Sequence, residues 1–188
     1  MIGDMQLGPL DVALMLIVGV TSWTDLRTQR IRNVHTFPTM LLGLILQSMG
    51  AGTSGLWGAL LGIGAGFLGM SPLYAMGIMK AGDVKLAMSL GALMGGWEIL
   101  RAVVLSFVLY LPVGLVVLLL SGRLRQSWVA FKRLAFFLYA RFHPALTPEP
   151  LNMEGMTLAP FGMVLGVAAL LVHFGNWLGS RGFIPGLF

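Results

Sequence analysis

AVVLSFVLYLPVGLVVLLLS, residues 102–121, is a run of twenty residues without a charge. It matches the roughly 20 apolar residues a helix needs to cross a bilayer, so it decides the class of the fold. The whole chain agrees. It is 188 residues long, 57% hydrophobic and 10% charged, with a mean hydropathy of +0.87, well outside the balance of soluble domains. Working outward from the run, five more apolar segments appear: Leu10–Thr24, Phe37–Met49, Gly55–Met79 and Val84–Trp97 before it, and Met156–Leu178 after it. The expected fold is an all-α integral membrane protein with about six transmembrane helices. The chain is too long for one anchor and too short for a bundle plus a large soluble domain, so residues 1–188 read as a single polytopic domain. Gly58, Gly62 and Gly66 form a small-residue ridge on the third segment, a means of packing helices closely within one subunit.

Charge distribution orients the helices. Threading six spans puts Arg27, Arg30, Arg32, Lys80, Lys85, Arg123, Arg125, Lys132, Arg133 and Arg141 on one side, and only Arg101 and Arg181 on the other. By the positive-inside rule the first side is cytoplasmic and both termini lie outside. Basic residues confined to short loops are topology signals, so the net charge of +5 does not imply a nucleic-acid partner. Met1 to Pro9 lacks the basic start of a cleavable signal peptide, and the first apolar segment is expected to remain as a helix. With no cysteine in the chain, disulfides, thiolate metal sites and a cysteine nucleophile are excluded. Between the fifth and sixth segments, Leu124, Trp128, Phe131, Ala135, Leu138 and Phe142 recur at steps of four and three, with Arg125, Lys132, Arg133 and Arg141 off that face. A basic amphipathic helix over about 123–143 is expected, lying at the cytoplasmic interface against membrane lipid. His143-Pro144 and Pro148-Glu149-Pro150 then end it.

Seven acidic residues remain to be explained. Two of them, Asp25 and Asp83, stand where an apolar segment meets a basic loop on the predicted cytoplasmic side. A carboxylate at such a place is either a helix cap or partner of nearby cations, or a functional group. The others offer no substitute pair. Asp11 precedes Asp25 by fourteen residues on one helix, roughly 21 Å away. Asp4 and Glu98 fall on the outer side, and Glu149 and Glu154 sit in a proline-rich link. Two carboxylates in contact share a proton, because both cannot ionise easily. The ionised member can activate water while the protonated one polarises a peptide carbonyl.

At these residues the chain resembles a known family. Ala81-Gly82-Asp83-Val84-Lys85-Leu86 looks like the Gly-x-Gly-Asp motif of the type IV prepilin peptidases. Asp25-Leu26-Arg27, followed by Ile31 and Asn33, is similar to that family's first aspartate motif. Leu158-Ala159-Pro160-Phe161-Gly162 resembles the start of its last helix. The likeness is closest to the short prepilin peptidases of tight-adherence (Flp) pilus systems. The resemblance implies an aspartic endopeptidase of the bacterial inner membrane that removes a short basic leader from prepilins at the cytoplasmic face. Asp25 and Asp83 would be the catalytic pair, with Gly82, Lys85, Lys80, Arg27 and Asn33 as supporting motif residues and with neither cofactor nor metal. Lys80 stands where the family motif has its first glycine, and Arg32 where the family often has proline. Lacking cysteines and room for the insert of the long, bifunctional members, the chain is expected to cleave without methylating the new N-terminus. Lys80 and Lys85 are candidates to bias the pair toward an ionised member, besides anchoring the loop.

Two other functions fit parts of the sequence. In a small channel, transporter or pilus-assembly subunit, the aspartates would bind a proton or cation. Gly52-Thr53-Ser54-Gly55 resembles the Gly-x-Ser-Gly run of rhomboid serine proteases, and His173 lies on the same predicted side as Ser54. A Gly/Ser/Thr turn explains Ser54 without chemistry. His35 and His143 show no metal-ligand spacing. The motifs leave open which prepilin is cleaved and the oligomeric state.

Overall fold

The computed structural model describes residues 8–28, 31–76, 79–120 and 161–180, with Lys132, Phe136 and Tyr139 between them. The described elements are α1 (Pro9–Thr28), α2 (Asn33–Ala75), α3 (Ala81–Met94), α4 (Gly96–Leu120) and α5 (Phe161–Ser180). There is no strand among the described residues. Three helices, α1, α2 and α4, are long and apolar enough to cross a membrane. Their exposed side chains include Leu16, Leu61, Leu111 and Leu120, which is the surface a lipid solvent requires.

The expected segments Phe37–Met49 and Gly55–Met79 fall on two limbs of α2, which runs over 43 residues in all. Helical geometry fails inside it at Ala51 (φ −134°, ψ 17°) and Gly52 (φ 61°, ψ −136°). The left-handed φ at Gly52 is open to glycine and disfavoured for other residues. The chain doubles back there. A Cβ on Gly55 would strike the carbonyl of Gln47, whereas eight residues of straight helix would separate them by roughly 12 Å. α2 is therefore a helical hairpin with limbs 33–50 and 53–75.

The expected Val84–Trp97 segment is cut short. α3 ends at Met94 because Gly95 turns to φ 94° and donates its N–H to the Gly91 carbonyl at 2.8 Å. Trp97, Glu98 and Arg101 then belong to the first turns of α4. The 14 residues of α3 extend about 21 Å, short of the ~30 Å hydrocarbon core. The expected interfacial helix at 123–143, the link from His143 to Pro150, and Leu158 to Pro160 lie outside the described residues. Lys132, Phe136 and Tyr139 are the exceptions, helical and exposed.

α3 is the hub of the bundle. Leu86, Ala87, Ser89, Leu90, Ala92, Leu93 and Met94 are all buried, and both limbs of α2 lie along it. On the second limb Gly62 meets Gly91 and Gly66 meets Ala87, an antiparallel register. On the first limb Asn33 pairs with Lys85, Gly43 with Ala92 and Gln47 with Leu93, a parallel one. α5 runs antiparallel to α1, with Gly166 against Val18 and Met163 against Asp25. These registers sort the chain into two ends. Asp25, Asn33, Asp83, Lys85 and Gly162 gather at one, and Asp11, Gln47, Glu98 and His173 at the other.

Candidate active site

Asp25 sits in the last turn of α1 and is only 5% exposed. The first turn of a helix has N–H groups with no partner inside the helix, and α5 aims its own at this carboxylate. Met163 N–H donates to Asp25 Oδ2 at 3.3 Å, and Gly162 packs closely against the same carboxylate. Asp83 occupies the third position of α3 and is 7% exposed. Its Oδ2 accepts the Lys80 N–H at 3.2 Å, and its own N–H donates to the Lys80 carbonyl at 3.0 Å.

Ile31 joins the two. Its Cβ lies 3.1 Å from the place a Cβ on Gly82 would take, and its Cδ1 lies 2.8 Å from the same place on Gly162. Asp25 Oδ2 is 2.9 Å from that Gly162 position. Four stretches of chain thus converge: the end of α1, the link before α2, and the starts of α3 and α5. Asp25 is near enough for its charge to act on Asp83. Two carboxylates this close do not both ionise easily, so the pair can share a proton.

The family model of the type IV leader peptidase family matches residues 12–115, or 104 of the 188. The chain belongs to this family. No curated protein and no solved structure matches significantly. The matched stretch contains both aspartates, Gly82 and the whole α2–α3 contact, and stops before α5. Membership makes the chain a peptidase of the leader-peptidase type, with a prepilin as the substrate that family implies.

The supporting residues take distinct places in this family member. Lys80 sets its charge against both carboxylates. Lys85 donates from Nζ to Asn33 Oδ1 at 2.9 Å and lies 5.8 Å over the Phe37 ring, fastening the start of α2 to α3. Arg27 stacks on Trp23 at 4.3 Å, an arrangement suited to a membrane rim. The contact of Met163 and Gly162 with Asp25 was not among the functional candidates from sequence, where only the Phe161-Gly162 likeness pointed toward it; Ile31 stood in the first aspartate motif without a stated role.

Ser54 and His173 are not brought together. Ser54 Oγ donates to the Ala51 carbonyl at 2.7 Å, inside the α2 turn. His173 is engaged by Asp11 Oδ1 at 2.6 Å and Glu98 Oε2 at 3.3 Å. This cluster clasps α1, α4 and α5 at the end away from Asp25 and Asp83. Removing the imidazole leaves two half-buried carboxylates facing each other without a cation. His173→Ala is expected to lower stability by about 1–3 kcal/mol, below the range for a fully buried pair because all three groups are partly solvated. A thermal melt in detergent at neutral pH checks this, and an unchanged melting point would show that the clasp carries no weight.

Proposed function

We propose that the chain is an aspartic endopeptidase of the bacterial inner membrane that removes the leader peptide from Flp-like prepilins at the cytoplasmic face. The observation that carries the proposal is the convergence of Asp25 and Asp83 around Ile31, from helices 58 residues apart in sequence. One carboxylate, ionised, takes a proton from water as the oxygen attacks the scissile carbonyl. The other, protonated, donates a hydrogen bond to the carbonyl oxygen. Collapse of the tetrahedral intermediate returns a proton to the leaving nitrogen. The step needs no metal and no covalent enzyme intermediate, and the new N-terminus leaves unmethylated.

The registers support six antiparallel crossings: α1, the two limbs of α2, the short α3, α4 and α5. In that arrangement the aspartate end carries Arg27, Arg32, Lys80 and Lys85 and faces the cytoplasm by the positive-inside rule, with both termini outside. A single-helix prepilin would dock among the lipid-exposed apolar faces, its basic leader reaching the pair from the cytoplasm. Purified chain in liposomes, mixed with a tight-adherence prepilin, is expected to release the leader without added nucleotide or metal. Failure to cleave any prepilin of that class, with the chain folded, would defeat the proposal.

Lys80 gives the mechanism a pH signature. Its positive charge favours the ionised form of Asp83. Without it the carboxyl holds its proton to higher pH, so Lys80→Met is expected to move the alkaline limb of the cleavage profile upward by roughly a few tenths of a unit. Lys85→Met loses a bond to Asn33 instead, and its alkaline limb is expected to stay in place. Rate–pH profiles of the two variants, measured side by side, make the check.

A further inference from the structure

We infer that Ile31 is a positioning residue of the aspartate centre: its side chain is the spacer that fixes how the start of α5, with the Asp25 carboxylate held against it, sits relative to the start of α3, which carries Asp83. The inference rests on the paired-aspartate function proposed above and names a residue on which the geometry of that pair depends.

Ile31 stands in the link between α1 and α2, half-buried at the edge of the core. Its backbone side belongs to α3. From the place a Cβ on Gly82 would take, Ile31 Cβ lies 3.1 Å away, its carbonyl oxygen 3.5 Å and its nitrogen 3.6 Å. Two residues on, Asn33 Oδ1 accepts from Lys85 Nζ at 2.9 Å. The link is therefore held to the start of α3 at Gly82 and at Lys85, on either side of Asp83. Its contact with α5 is made by the tip of the side chain. Ile31 Cδ1 lies 2.8 Å from the place a Cβ on Gly162 would take, and Asp25 Oδ2 and Cγ lie 2.9 and 3.3 Å from the same place. Met163, the next residue, donates its N–H to Asp25 Oδ2 at 3.3 Å. One end of Ile31 thus rests beside Asp83 and the other beside the seat of Asp25.

The junction has the properties of a spacer. Neither Gly82 nor Gly162 brings a side chain to it, so the isoleucine fills it from the link. A β-branched side chain is stiff at χ1, which makes the reach from Cβ to Cδ1 a nearly fixed length. The start of α5 is backed on its other side, where buried Phe161 packs its ring 5.6 Å from Phe107 and 5.3 Å from Tyr110 of α4. Close-packed interiors transmit displacement, so a carbon removed from Ile31 frees the start of α5, and Asp25 with it, to shift relative to Asp83. A shift of about 1 Å in a reacting group is enough to cost about 10²-fold in rate. Ile31 has no proton to give or take. It acts through the two carboxylates that it spaces.

Steady-state cleavage of a tight-adherence prepilin in liposomes tests the inference. Ile31→Val removes Cδ1 and keeps Cβ, so the contact with Gly82 stays and the contact with Gly162 goes. It is expected to lower kcat about ten-fold and leave KM within about two-fold of wild type, with the melting point lower by no more than about 3 °C. Ile31→Met returns an atom to the δ position on an adaptable chain and should recover most of the rate. Double variants read the spacing directly. In Gly162→Ala with Ile31→Val the added methyl enters the space that Cδ1 leaves, so the double variant should cleave faster than Gly162→Ala alone. Gly82→Ala should gain no such relief from Ile31→Val, because the obstacle there is Ile31 Cβ, which valine keeps. Wild-type kcat in Ile31→Val would overturn the inference. So would a loss confined to KM, or equal relief of the two glycine variants, which would reduce the effect to general packing. Asp25→Asn and Asp83→Asn run in the same assay separate the two levels. Cleavage surviving either substitution defeats the aspartate pair itself, while its loss in both beside wild-type kinetics in Ile31→Val defeats only the role of Ile31.

Discussion

Asp25→Asn and Asp83→Asn are each expected to reduce leader cleavage by about 10³-fold or more while the chain stays folded. The size follows from removing one half of an acid–base pair whose members act as a unit, so neither retains the other's share. Retention of the fold follows from the contacts. Asparagine at 25 keeps an acceptor oxygen for the Met163 amide, and asparagine at 83 keeps one for the Lys80 N–H. Co-expression with a prepilin, read by mobility shift, measures cleavage, and a thermal melt in detergent checks that each variant stays folded. A processed prepilin with either asparagine variant would falsify the mechanism.

The sequence made the class of this molecule legible through chemistry that survives without coordinates. An uncharged twenty-residue run has few fates in water. Asp25 and Asp83 stood out for the same reason, since a membrane protein tolerates few carboxylates near its helix ends. The helix boundaries were legible in part. The break at Ala51 and Gly52 falls between the segments expected to end at Met49 and to start at Gly55, where a Gly/Ser/Thr cluster signals a turn. Gly95 also ends helical geometry through positive φ, but it is one of 26 glycines, most of them inside helices, so the end of α3 did not stand out. The partners of the aspartates were harder still. Backbone amides have no side-chain signature, so the role of Met163 depends on where α5 begins. His173 lies at the end away from Asp25 and Asp83, as threading the spans put it, but it was matched with Ser54. Its actual partners, Asp11 and Glu98, lie 162 and 75 positions away, and only the packing of α5 against α1 and α4 brings them together.

Gly62→Ala and Gly91→Ala should be the most damaging substitutions outside the aspartate centre. The two glycines face each other where the second limb of α2 crosses α3. A Cβ on Gly62 would run into the Gly91 carbonyl, and one on Gly91 into the Gly62 carbonyl. The obstacle in each case is backbone, which no rotamer change can move aside. The helices must separate along a seam where a Cβ on Gly66 would likewise come within 2.5 Å of the Ala87 carbonyl oxygen. Overpacking against rigid backbone costs about 3 kcal/mol or more at each site, and it removes the close helix approach on which membrane packing relies. Function should suffer beyond stability, because α3 carries Asp83. A shift of about 1 Å in a reacting group can cost about 10²-fold in rate. Gly58 provides the control. It precedes Gly62 on the same ridge and looks equivalent in sequence, yet a Cβ there meets nothing within 4 Å. Gly58→Ala should be neutral, or stabilise by up to about 1 kcal/mol through helix propensity. Melting temperatures and cleavage rates of the three variants in one detergent decide the matter. If Gly58→Ala and Gly62→Ala behave alike, the second limb of α2 does not press this face onto α3.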